Sequence, residues 1–161
     1  MSLATFEKLT ALFSLGNAHF ETLAHEPVRT SEEAAAVRGT ALQQGAKAMV
    51  CRIKISSNER FYALAVFPAD NKLNFDSLAA VFGGKKASLA TPEEATRLTD
   101  CEPGAVPPVS FHPELTLVVD RSLLTRNQTI SFNAGLRDRS MMIGAADYQR
   151  IVEPLLAEIV V

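Results

Sequence analysis

Lys47 is the residue whose type and place most suggest chemistry. In the stretch AKAMVCRIKI, Cys51, Ile53 and Ile55 alternate with Arg52 and Lys54, the period-two pattern of a half-buried strand. Carried backward, the alternation puts Lys47 on the apolar face with Met49, Cys51, Ile53 and Ile55. An ammonium there is tolerated only if it is paired or lines a cavity. Alternatively the strand starts later and Lys47 is a solvated residue of the Gly45 turn, which on the pattern alone is the simpler placement.

A second candidate is the segment DCEPGAVPPVSFHPE, with Pro103, Pro107, Pro108 and Pro113 around Gly104. Glycine permits close backbone approach and proline fixes shape, so backbone N–H groups near Gly104 could grip a carbonyl or an oxyanion. The same composition also suits a rigid surface connection. Asn133-Ala134-Gly135 closes a strand with residues that tolerate positive φ, as a tight turn would. Ser110 and His112 stand two apart and invite a hydrolase reading, but no orienting acid is nearby. His25 precedes Glu26-Pro27 and suits a structural place or a pocket wall. His19, His25 and His112 have no HxH or HExxH spacing, and Cys51 and Cys101 no CxxC, so neither a metal nor another cofactor is expected.

These residues need elements to position them. Leu3, Phe6, Leu9, Leu12 and Phe13 recur at helical spacing, with Gly16 as the stop. His19 to Leu23 reads as a short strand. Thr30-Ser31-Glu32-Glu33 and Thr91-Pro92-Glu93-Glu94 are capping boxes opening two helices, the first closed by Gly39. Phe61 to Phe67 is nearly all apolar, as a strand covered on both faces would be, and Ser56-Ser57-Asn58 predicts an antiparallel hairpin with the strand before it. A short helix is expected over 74–82, strands over 115–119, 129–132 and 140–143, and a last helix over 147–156. Irregular mixing of helices and strands predicts an α+β fold: one domain over residues 1–161, with a central mixed, largely antiparallel sheet flanked by helices.

Composition bounds the function. The 161 residues suit one core burying roughly 68–70% of the unfolded surface, with no need of a staple. Sixteen Lys+Arg against eighteen Asp+Glu give a net charge of −2, so any nucleic-acid contact must come from a local cluster. Lys85-Lys86, Arg52 with Lys54, and Arg137 with Arg139 are the candidates. The first twenty residues lack the pattern of a signal peptide, and no run reaches 18 apolar residues. A cytoplasmic protein in a reducing compartment is expected, with neither a membrane nor DNA as partner.

In order, the chain carries His-Glu-Pro, Thr-Ser-Glu-Glu-Ala-Ala, Gly-Thr ahead of Gly-Ala-Lys-Ala-Met-Val, Ala-Ser-Leu-Ala-Thr-Pro-Glu-Glu, Pro-Gly-Ala-Val-Pro-Pro and Phe-Asn-Ala-Gly. Over residues 20–153 this order and spacing resemble the YbaK / prolyl-tRNA-synthetase-associated domain family, in particular its YeaK-like branch of stand-alone aminoacyl-tRNA deacylases. The resemblance implies hydrolysis of the ester joining a wrong amino acid to a tRNA 3′ end. It places the family's functional lysine on Lys47, its Gly-x-x-x-Pro loop on Gly104 to Pro108 and its Gly-rich strand end on Asn133 to Gly135, and it favours the inward-facing Lys47. Ala48 departs from branches with Asn or Thr after the lysine, which speaks against alanine or cysteine editing.

The catalytic candidates are then Lys47, holding a phosphate or polar group of the terminal adenosine, and Gly104, whose neighbouring amides orient the ester or the attacking water. His25, Thr30, Pro108, Ser110, His112, Asn133 and Gly135 are the substrate-binding candidates. Ser110, His112 and Asn133 would select a small hydroxylated side chain, serine or threonine. Hydrolysis is expected to need no metal, with the tRNA's own 2′-hydroxyl assisting. The partner is a mischarged aminoacyl-tRNA, with a synthetase or elongation factor as a protein partner. Other readings are a non-catalytic module binding the tRNA 3′ end, a deacylase for alanine or cysteine on proline tRNA, a Ser110–His112 esterase, and a structural subunit.

Overall fold

The computed structural model describes residues 2–161. The chain begins with α1 (Ser2–Leu15), β1 (Phe20–Ala24), α2 (Ser31–Arg38) and a 3-10 turn (Leu42–Gln44). It continues through β2 (Ala46–Lys54), β3 (Arg60–Pro68), α3 (Phe75–Val81), β4 (Lys86–Leu89) and α4 (Pro92–Thr99). The Pro-rich segment leads to β5 (Leu115–Asp120), α5 (Arg121–Arg126), β6 (Thr129–Asn133), β7 (Arg139–Gly144), α6 (Ala145–Val152) and β8 (Leu155–Ala157).

The local signals account for much of this. Thr30 and Thr91 each cap a helix, accepting from the N–H of Glu33 and Glu94, whose carboxylates reach back to the cap. β2 and β3 pair antiparallel from Ala46↔Pro68 to Lys54↔Arg60, the expected hairpin. They are central in a five-stranded mixed sheet of order β4-β2-β3-β5-β8, in which β3–β5 and β5–β8 run parallel. The fold is the expected α+β domain, with a refinement. Beside the mixed sheet lies a three-stranded antiparallel sheet, β1-β7-β6, linked to it by a bridge between Gly45 and Ser131.

Both faces of β3 are buried, as its apolar run requires. Leu64 and Val66 pack into one core with Phe132, Met141, Leu9, Phe13 and Tyr148. Ala63, Ala65 and Phe67 pack into a second core with Leu78 and Ala79 of α3. The two sheets therefore sandwich the first core, and the rim beside the Gly45–Ser131 bridge that joins them is open.

Four elements differ from expectation. The last helix ends at Val152, because Glu153 turns left-handed (φ 50°) before Pro154. Residues 155–157 instead form a strand beside β5. The edge strand β4 and the one-and-a-half-turn α5 carry too few residues for a periodic signal. α5 is set by Asp120, whose carboxylate accepts from the N–H of Ser122 and, across the fold, from that of Ile159 at 2.7 Å.

Candidate functional site

A cavity of about 430 Å³ opens at the rim between the two sheets. One wall is α2 with the residues before it: Val28, Arg29, Thr30, Ser31, Ala34, Ala35 and Arg38. The other is the start of β2, Gly45 to Met49, and Gly104, Val106 and Asn133 close the side. Three cations, Arg29, Arg38 and Lys47, line it against one carboxylate, Glu32, so the cavity suits an anionic ligand.

Lys47 stands on β2, in register with Phe67, and shares its face with Met49, Cys51 and Ile53 as the backward extension requires. It is exposed, however, which corrects the inward-facing expectation. α3 packs in the second core with Cys51 and Ile53, and β4 pairs with β2 only at Cys51–Lys54, so Lys47 lies beyond both at the cavity rim. Its ammonium has no hydrogen-bond or ion-pair partner among the described residues.

Arg38 is a cavity-lining residue that sequence reasoning missed. At the end of α2 it donates from Nε to Ser140 Oγ (2.8 Å), and from its terminal nitrogens to Ser131 Oγ (3.3 Å) and Asn133 Oδ1 (2.8 Å). Burial lowers its pKa to about 10, which leaves it cationic at neutral pH. Asn133 Nδ2 in turn donates to the carbonyl of Gly104 (2.7 Å). A guanidinium with donors in a fixed fork thus ties β6 and β7 of the small sheet, through Asn133, to the Gly104 segment.

His25 joins the same network from behind. Its Nδ1 meets the Glu26 carbonyl (2.8 Å), which can only accept, so Nδ1 carries the proton. Nε2 then accepts from the Ser140 hydroxyl at 2.7 Å. His25 does not line the cavity, so its expected substrate contact is replaced by a supporting one.

Gly104 has φ +87°, a left-handed conformation that L side chains resist, and Gly135 matches it. Among the described residues no backbone carbonyl accepts from the N–H of Gly104 or of Val106, both of which line the cavity. The Gly135 N–H is spent on the Ala105 carbonyl (3.0 Å), so Gly135 fastens the loop and is not itself in the wall.

Three further candidates lie elsewhere. Pro108 offers its carbonyl to the buried Tyr148 hydroxyl. Ser110 Oγ lies 2.6 Å from the Leu115 carbonyl and 3.2 Å from that of His112. His112 Nδ1 accepts from the Glu114 N–H at 3.1 Å. Ser110 opens on a separate groove with Leu12, Phe111 and Ile151. Hydroxyl and imidazole each serve their own turn, so no Ser–His pair forms. Nor is a thiol poised: burial pushes Cys51 up to about 12 and raises Cys101. Among the described residues no three His, Cys, Asp or Glu converge as metal ligands.

Thr30 and Asn133 line the cavity as expected, but with their polar atoms committed, Thr30 to its cap and Asn133 to Arg38 and Gly104. Of the basic clusters, Arg52 is paired with Glu94 (2.7 Å), Arg137 donates to the Pro103 carbonyl (2.8 Å), and Arg139 lies 3.3 Å from Asp138. No helix among the described residues is long and apolar enough to cross a membrane.

Comparison with known proteins gives this geometry its context. Residues 25–151 match the family described as the aminoacyl-tRNA editing domain. The chain is 45% identical over 152 residues to a multifunctional Ser/Thr-tRNA deacylase, ProXp-y, of Escherichia coli K12, covering 94% of this chain and 90% of that one. It is 28% identical over 129 residues to a proline–tRNA ligase of Methylobacillus flagellatus, covering 79% of this chain but 22% of the ligase. Among solved structures, a hypothetical protein superimposes with a TM-score of 0.84 at 25% identity, over 96% of this chain and 99% of that one. A candidate trans-editing enzyme for prolyl tRNA synthetase shares the fold with a TM-score of 0.80 at 21% identity, over 98% and 97% of the two chains.

Proposed function

The chain belongs to the aminoacyl-tRNA editing domain family, and from that premise we propose that it hydrolyses the ester linking serine or threonine to a mischarged tRNA, with Lys47 and the Gly104 segment as its working parts. The observation that carries these roles is the contrast within one cavity. Lys47 is an uncommitted cation and the amides of Gly104 and Val106 are uncommitted donors, whereas Arg38, Asn133 and Thr30 beside them are already bonded within the protein.

An aminoacyl ester is activated, so positioning and charge stabilisation carry most of the catalysis. Lys47, as a point charge on a flexible stem, holds a phosphate or polar group of the terminal adenosine. The ester carbonyl lies toward Gly104. Water adds to its carbon, the developing oxyanion is met by the loop amides, and the bond to the ribose oxygen breaks with a proton delivered to that oxygen. The terminal 2′-hydroxyl, beside the reacting oxygen, relays the proton. The walls at Val28, Ala34, Ala46, Ala48 and Met49 leave room for a small side chain. Ser31, whose hydroxyl has no partner among the described residues, takes over the recognition first expected of Ser110 and His112. A synthetase is the natural supplier of the substrate, a relation supported by the similar segment of a proline–tRNA ligase.

The test is a panel of Ser-, Thr-, Ala- and Cys-charged tRNAs with wild type and Lys47→Ala. Hydrolysis of the Ser and Thr esters is expected, falling by roughly 10³-fold in the variant with an unchanged melting temperature, the scale of a lost electrostatic contact to the reacting complex. Near-wild-type turnover in Lys47→Ala removes Lys47 from the mechanism. Equal turnover of alanine and serine esters removes the hydroxyl preference.

A further inference from the structure

The register of the large sheet sets three cations side by side. Lys54 of β2 is directly opposite Arg60 of β3 on one flank and Lys86 of β4 on the other. Residues directly opposite share a face, so Lys86, Lys54 and Arg60 form one row across three strands, and all three are exposed. Like charges so placed repel and cost stability. The rung two residues away on the same face shows what the fold does when it neutralises a cation. There Arg52 lies opposite Ser88 and Tyr62, and α4 supplies Glu94 at 2.7 Å, with the Tyr62 hydroxyl donating to the same carboxylate. The next rung receives no such acid: among the described residues no carboxylate lies within ion-pair distance of Lys54, Arg60 or Lys86.

The row borders a groove at the hairpin tip, lined by Arg52, Lys54 and Arg60 with Ser56, Ser57, Asn58 and Glu59. Cations flanked by hydroxyl and amide donors match the oxygens of a phosphodiester backbone, with Glu59 the one opposing charge in the lining. Position agrees. Lys54 has the same strand parity as Ala46 and Ala48, while Lys47 and Met49 line the cavity from the opposite parity, so the cavity straddles the start of β2 and the row lies on one of the two faces it meets. From Lys47 to Lys54 the strand advances about 23 Å at ~3.3 Å per residue, too far for the terminal nucleotide and suited to backbone several nucleotides inward. In a protein of net charge −2, an unneutralised row is the local cluster that a polyanion requires.

We propose that the Lys86–Lys54–Arg60 row is a docking surface for the phosphate backbone of the tRNA acceptor arm, separate from the cavity that holds its 3′ end. This rests on the deacylase reading for the identity of the RNA.

The experiment compares wild type with Lys54→Gln/Arg60→Gln/Lys86→Gln, a variant that relieves repulsion and keeps long polar side chains on the strands. Three readouts are taken: kcat and KM on seryl-tRNA at several salt concentrations, kcat/KM on a seryl ester of the trinucleotide CCA, and equilibrium binding of uncharged tRNA. The expected result is a rise of tenfold or more in KM and Kd for tRNA at low salt, kcat unchanged, a log–log salt dependence shallower by up to about 3, and no change on the trinucleotide ester. Equal loss on both esters would mean that the row acts through the cavity and would overturn the proposal, as would unchanged tRNA binding. The binding readout separates the two claims: if wild type hydrolyses neither ester, the deacylase reading fails, while a variant that binds tRNA as wild type does defeats the row on its own.

Discussion

The two ends of the Pro-rich segment lie three residues apart in sequence and each carries a proline and a glutamate, yet they do opposite things. Residues 102–106 are held from outside. The Gly104 carbonyl is held by Asn133, the Ala105 carbonyl by Gly135 and the Pro103 carbonyl by Arg137, all from β6 or the turn after it. With these carbonyls pinned from one side, the N–H groups of Gly104 and Val106 meet no backbone carbonyl among the described residues, and both residues line the cavity. Residues 110–114 are held mainly from within: Ser110 bonds to His112 and Leu115, and Glu114 to His112. The polar side chains that look most reactive in sequence are thus spent on shape, and the half with no reactive side chain presents unspent backbone donors. A group is available for chemistry when the fold satisfies its neighbours and leaves it out.

Arg38 offers the hardest way to break that comparison. Arg38→Met removes donors to Ser131, Ser140 and Asn133 at once. Losing charge-assisted bonds of this kind costs about 1.5–3 kcal/mol in denaturant titrations. If Asn133 then releases Gly104, deacylation falls roughly 10²-fold, the scale of a misplacement near 1 Å. Arg38→Lys restores the charge but not the fork, so it recovers more stability than activity. A folded Arg38→Met enzyme with wild-type turnover would show that the first half of the loop does not depend on the network.

Gly104→Ala sharpens the comparison at smaller cost. An added Cβ meets only Arg137 Nε, at 3.8 Å, so space is not the difficulty. The backbone at φ +87° is, at about 1–3 kcal/mol. The loop relaxes or strains, its amides turn, and kcat is expected to fall about tenfold with KM less affected, read by single-turnover assays beside a thermal melt. Wild-type kcat in Gly104→Ala would move the oxyanion donors elsewhere.

Local signals made much of this legible in the sequence. The capping boxes at Thr30 and Thr91, the Ser56-Ser57-Asn58 turn and the doubly buried β3 follow from residues within a few positions of one another. Lys47, Gly104, Thr30 and Asn133 all reached the cavity. Arg38 did not announce itself, because a basic residue in the last turn of a helix is ordinary dipole chemistry. What distinguishes it are acceptors 93 to 102 positions away. The exposure of Lys47 depends on where α3 and β4 stop, which alternation along one strand cannot show. The end of the last helix was readable: Glu153 precedes Pro154, which disfavours the helical conformation.

The smallest effect is expected at Ser110, where sequence inspection would look for the largest. Ser110→Ala removes a hydroxyl that bonds the Leu115 and His112 carbonyls and leaves the Leu115 carbonyl one partner short, a loss of about 1 kcal/mol. The cavity wall contains no atom of that turn, so deacylation of seryl-tRNA stays within about twofold of wild type. His112→Ala behaves alike, since its ring serves the Glu114 N–H. A tenfold loss of turnover in Ser110→Ala at unchanged melting temperature would show that the second half of the loop reaches the reaction. If that loss extended to simple esters without RNA, the hydroxyl would be acting as a nucleophile with some partner other than His112. In that event commitment of a side chain to its own turn could not be used to exclude it from chemistry.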